Sequence, residues 1–162
     1  MFTIESSMYV PGMRARRVID FMLHPADDLY RDWWPGTHLS MHALNDCSGI
    51  GQVVYMEELV GDRRIRMRCV VTDLDPDRIA WQFIYIVGLP CSLVIKIDDD
   101  DEGATITHTI RVGYSGRLGR LLDPLFRVYF SKRFAQMMSE HFTVEFAALP
   151  GVLERHGSRS SA

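Results

Sequence analysis

The sequence predicts an α+β fold: a seven-stranded antiparallel sheet curved around one long C-terminal helix, with two short helices after the first strand. Three observations predict it. Residues 118–149 are the one long stretch that reads as a helix, six strand-like segments precede it in a row, and the connections between those segments are short and turn-forming.

Residues 2–10 alternate and end at Pro11-Gly12, as a first strand would. Residues 13–23 place Val18, Phe21 and Met22 at helical spacing and stop before His24-Pro25. Pro25 suits the first turn of a second short helix, with Asp27 and Asp28 near its positive end. That helix runs through Leu29, Tyr30 and Trp33 until Trp34-Pro35-Gly36 ends it. Six strands are then expected over 37–45, 49–60, 63–74, 78–87, 91–98 and 104–114. The apolar run 79–97 is nearly long enough to span a bilayer. Gln82, Lys96 and the Gly88-Leu89-Pro90 break instead make it two strands and a turn.

Alternation assigns the faces. Ile65, Met67, Cys69 and Val71 oppose Arg64, Arg66 and Arg68, while Trp81, Phe83 and Tyr85 share one face. Leu93, Ile95 and Ile97 oppose Ser92 and Lys96. Ile106, His108, Ile110 and Val112 oppose Thr105, Thr107, Thr109 and Arg111. In 49–60, Tyr55 and Glu57 share one face and Met56 and Glu58 the other, and the pattern does not say which is inward. On the long helix, a 100° step puts Leu122, Phe126, Phe130, Met137, Val144 and Ala148 on one face, interrupted by Arg133 and His141. The domain is expected to cover 1–149, with 150–162 a polar, disordered tail after Pro150.

At 162 residues the chain is one domain by length, and a net charge of −3 leaves no basic footprint for nucleic acid. Cys47, Cys69 and Cys91 are far apart, without a CxxC pair. The N-terminus lacks a signal-peptide pattern, so a cytoplasmic protein with reduced thiols and no membrane span is expected.

The order strand, two small helices, six strands, long helix resembles the helix-grip fold of the START-like (SRPBCC) superfamily, which includes lipid-transfer domains, pollen-allergen-like proteins and polyketide cyclases. The likeness covers about residues 2–149. Asp32-Trp33-Trp34-Pro35-Gly36 resembles the Trp-x-Pro ending after the second helix in bacterial cyclase-like members. The resemblance implies a hollow between sheet and helix, expected at roughly 300–1,000 Å³, the usual range for ligand pockets.

Candidate lining residues follow from the faces: Trp81, Phe83, Tyr85, Ile95, Ile106, His108 and Ile110 from the sheet, and Phe126, Phe130, Met137 and His141 from the helix. Arg133 is placed at the mouth, where it would attract an acidic head group or pair with a surface acid. His108 and His141 are the best catalytic candidates; each also reads as a hydrogen-bonded core histidine. No metal or other cofactor is expected. His38 and His42 stand roughly 13 Å apart along a strand, and His141 and Glu145 have helical spacing without further obvious ligands. A Rieske-type oxygenase would need a second domain for which this chain is too short. No GxSxG, Walker or dinucleotide fingerprint occurs.

The leading functional expectation is binding of a hydrophobic small molecule, such as a lipid, polyketide or aromatic compound. The alternatives are a cyclase or aromatase-like enzyme with a cavity histidine as acid or base, and a protein-interaction module with a filled core. Trp33-Trp34, read as exposed, fits a homodimer contact, a lid or a cap on the core.

Overall fold

A computed structural model of the chain describes residues 2–61, 63–84, 90–114, 116 and 132–157. The elements in chain order are β1 (Phe2–Pro11), α1 (Ala15–Leu23), α2 (Asp27–Trp33), β2 (His38–Ala43), β3 (Val53–Val60), β4 (Arg63–Asp75), β5 (Arg78–Phe83), β6 (Cys91–Asp99), β7 (Gly103–Val112) and α3 (Lys132–Gly157). The strands form one seven-stranded sheet in the order β1-β7-β6-β5-β4-β3-β2. Every neighbouring pair is antiparallel, as the short connections from β2 to β7 favour. Among the described residues β1 and β2 form the two edges, and α1 and α2 carry the chain from one edge to the other. The expected α+β helix-grip architecture is what the chain adopts.

Alternation places the core as the sequence implies. Cys69, Val71, Trp81, Phe83, Ile95, Ile97, Ile106 and Val112 are buried on the inner face, and Arg64, Arg66 and Arg68 are exposed on the outer one. In β3 the inner residues are Val54, Met56, Glu58 and Val60, which resolves the face that alternation left open. Glu57 points outward, where its Oε1 accepts from Arg64 Nε at 2.6 Å and Arg66 Nε at 2.5 Å. Those guanidinium groups hold its carboxyl down at about 2. The β3–β4 turn depends on Gly61, at φ +63°, where a Cβ would run into the methyl of Met137.

The helix departs from the expectation in two ways. First, its buried face carries Met138, His141, Phe142, Phe146, Leu149 and Val152, whereas Val144 is 51% exposed and Ala148 is also exposed. Two apolar stripes compete on this helix, and the one with Phe142 and Phe146 buries more area. Secondly, α3 continues through Pro150 to Gly157, so residues 150–157 are not a disordered tail. Pro150 removes the amide that would serve the carbonyl of Phe146. Burial of Leu149 and Val152, both fully enclosed, offsets that loss. The expected helix start at 118, with Leu122, Phe126 and Phe130, lies outside the described residues, as do Tyr85 and residues 158–162.

Cys47, Cys69 and Cys91 are free, and burial pushes the thiols of Cys69 and Cys91 up to about 12. No helix among the described residues is long and apolar enough to cross a membrane.

Candidate functional site between the sheet and the C-terminal helix

A cavity of about 80 Å³ opens between the inner face of the sheet and α3. This is well below the 300–1,000 Å³ expected. Large side chains from both walls occupy the remainder: Trp81 from β5, and Phe142 and Phe146 from α3, are almost completely buried. Five methionines line the cavity: Met22, Met41, Met56, Met67 and Met138. Unbranched thioether chains make such a wall adaptable in shape.

Five ionisable side chains break the apolar lining: Tyr30, Glu58, His108, His141 and Glu145. His108 projects from the middle of β7, where Ser6 and Ile95 are its strand partners, and its ring stacks on Phe142 at 5.3 Å. Burial lowers its pKa to about 4, so at neutral pH the ring is uncharged.

The other polar groups converge at one end, beside α2. His38 opens β2 directly opposite Glu58 in the β2–β3 register. His141 and Glu145 stand one turn apart on α3. The ring of His38 is stacked on Tyr30, with centroids 4.0 Å apart and planes 4° from parallel, and Trp33 meets its edge. Its Nδ1 lies 3.2 Å from the carbonyl oxygen of Tyr30. That carbonyl can only accept, so Nδ1 carries the proton and Nε2 presents its lone pair. Nε2 lies 3.4 Å from Glu145 Oε1, while His141 Nε2 lies 3.7 Å from Glu58 Oε2. The Tyr30 hydroxyl donates to Glu58 Oε2 at 2.8 Å, and Trp33 Nε1 donates to the Glu145 carbonyl at 2.6 Å.

Environment separates the two carboxyls. Burial disfavours the Glu58 carboxylate, but the imidazoles of His141 and His38 and the Tyr30 hydroxyl hold its pKa below the ordinary value. Burial, reinforced by the negative charge of Glu58, raises Glu145 well above its ordinary value. The surroundings thus favour the anion at Glu58 and the neutral acid at Glu145. Burial also brings His38 down to about 4.

No protein-family model and no curated protein matches this sequence. Solved structures do match its fold. The crystal structure of Ara h 8.0201 aligns with a TM-score of 0.64 at 14% identity, covering 94% of this chain and 98% of that one.

The chain has a helix-grip fold.

The solution structure of the Aha1 dimer from Colwellia psychrerythraea shares the helix-grip arrangement, with a TM-score of 0.59 at 13% identity over 95% of this chain and 97% of that one. So does the di-domain ARO/CYC BexL from the BE-7585A biosynthetic pathway, at 0.59 and 16% identity. There the match covers 96% of this chain and 49% of BexL, so the chain spans about half of that protein.

Within this helix-grip cavity, six of the sequence-derived candidates come together: Trp81, Phe83, Ile95, His108, Ile110 and His141. Three others do not join them. Ile106 is fully buried in the core behind the lining. Met137 packs in a second apolar cluster with Val60 and Met138. Arg133 is exposed near the start of α3 and is not among the lining residues. Tyr85, Phe126 and Phe130 lie outside the described residues. Trp33, read as exposed, is buried at 3%, and Trp34 is half-buried with its ring 4.6 Å from that of His141. Sequence reasoning missed His38, Glu58 and Glu145 as one group. The pairing of His141 with Glu145 at helical spacing was its one visible sign.

Proposed function

We propose that the cavity binds a small, mainly apolar molecule bearing one polar group, which His108 and His141 orient. The observation that carries this reading is the wall itself: adaptable methionines and aromatic rings, interrupted by a few convergent polar groups. Lipid, polyketide and aromatic compounds all have this chemistry. A hollow of about 80 Å³ is smaller than the cavity of about 150 Å³ that holds benzene, so each of these ligands requires the methionine side chains to move. The free, buried cysteines suit a reducing, cytoplasmic setting. A homodimer stays a proposal without a contact assigned to it, since Trp33 is enclosed in the core.

Native mass spectrometry of the protein as purified tests the reading, together with titration of an environment-sensitive naphthalene fluorophore in competition with fatty acids and polycyclic phenols. Retained apolar mass, or saturable displacement that Leu93→Trp abolishes by filling the hollow, is the expected result. If neither occurs, the binding reading fails.

A cyclase-like reading has one observation in its favour: His108 and His141 line the same cavity. It predicts that His108→Ala or His141→Ala removes turnover of a poly-β-keto substrate while leaving its affinity within a few-fold. A loss of affinity alone favours a carrier instead.

A further inference from the structure

Outside the apolar cavity walls, the feature in greatest need of an explanation is the pair of buried imidazole nitrogens beside α2. His38 Nε2 and His141 Nε2 are enclosed and have no hydrogen-bond partner among the described residues, although each faces a carboxyl oxygen. Buried polar atoms are nearly always paired, so two orphans within one cluster call for a third party.

We propose that His38, Glu58 and His141 form a binding site for one divalent transition-metal ion, held between β2, β3 and α3. One ligand atom from each residue lies within 4.8 Å of the other two, and all three residues are buried. A tetrahedral ion with bonds of about 2.1 Å separates its ligand atoms by about 3.4 Å. The 3.7 Å between His141 Nε2 and Glu58 Oε2 is close to that edge, and it is too long for a good hydrogen bond. Closing the remaining spacing to that geometry takes side-chain adjustments of about 1 Å.

The supporting groups are arranged as a metal site requires. Imidazole ligands usually donate their second N–H to a carbonyl or carboxylate, which fixes both tautomer and ring plane. His38 does this through Nδ1 to the Tyr30 carbonyl, leaving Nε2 as the ligand atom, and Tyr30 stacks on the ring. The hydroxyl of the same tyrosine holds the Glu58 carboxylate. Glu145, 3.4 Å from His38 Nε2, stands where it can serve as a fourth ligand or bond a water on the ion. Two imidazoles and one or two carboxylates suit zinc and its neighbours in the first transition row, and they are too nitrogen-rich for calcium or magnesium. The lining by Glu58, His141 and Glu145 would turn an open coordination position towards the cavity. Metal binding does not depend on the apolar-ligand reading, because it concerns the ion alone.

The test is titration of chelator-treated full-length protein with Co(II), followed by its visible d–d absorption, and with Zn(II) by calorimetry. One equivalent per chain is expected, with a rise in Tm. Glu58→Gln and His141→Gln, which preserve volume, should each weaken Co(II) binding at least about tenfold, as ligand losses do. Glu57→Gln on the outer face should leave it unchanged. Circular dichroism of each variant separates lost ligation from lost fold, and His38→Gln provides a third ligand variant if one of the others does not fold. Absence of binding by the folded wild-type protein, or binding indifferent to all the folded ligand variants, overturns the proposal.

Discussion

His38 Nε2 lies 3.4 Å from Glu145 Oε1, joining the first residue of β2 to the middle of α3 inside the protein. Around this pair, Tyr30 connects both ends of the cluster. Its carbonyl accepts from His38 and its hydroxyl donates to Glu58. The tyrosine hydroxyl is itself held well above its ordinary pKa by burial and by the Glu58 charge, so it remains a donor at neutral pH.

Tyr30→Phe removes that donor and leaves the stacked ring in place. The buried Glu58 carboxylate then lacks its shortest hydrogen bond, at an expected cost of about 1–3 kcal/mol. Urea denaturation at neutral pH measures it. A variant as stable as the parent would show that the hydroxyl does not support Glu58.

His108 makes stability depend on pH. Its folded pKa of about 4 lies below the unfolded value near 6.5, so between these the unfolded chain binds a proton that the fold refuses. Stability therefore rises with pH across that window and is lost on acidification, by at most about 1.4 kcal/mol per pH unit. Glu58 from β3 and His141 from α3 are the charged or titratable groups that act on it. His108→Phe should flatten this part of the profile; unchanged slopes in the two proteins would reject the assignment.

Truncation after Leu149 should destabilise the protein. Val152 is fully buried in the main core, and its loss is worth about 1.5–3 kcal/mol. Equal urea midpoints for the truncated and complete chains would mean that the last turns of α3 are dispensable.

At Gly61, a substitution to alanine meets two obstacles: a left-handed backbone and the methyl of Met137. The backbone part alone costs about 1–2 kcal/mol. Adding Met137→Ala should recover the steric part and not the backbone part, which a double-mutant cycle in thermal unfolding resolves. Full recovery would place the whole cost in the contact.

The inward position of Trp81, Phe83, Ile95 and His108 was legible from sequence, because a strand alternates with a period of two that neighbouring strands cannot alter. The face of α3 was less legible. Val144 and Phe142 both lie on apolar stripes, and only the sheet beneath decides which stripe is covered. Pro150 similarly reads as a stop until the burial of Val152 is known.

Element order, antiparallel pairing and strand faces were thus set by local pattern, which is enough to specify the helix-grip fold. The cavity's size and the meeting of His38, Glu58, His141 and Glu145 were decided only by the tertiary structure. Those residues come from two strands and a helix, and beyond the helical spacing of His141 and Glu145 the sequence carries no trace of distances that arise when α3 packs across the sheet.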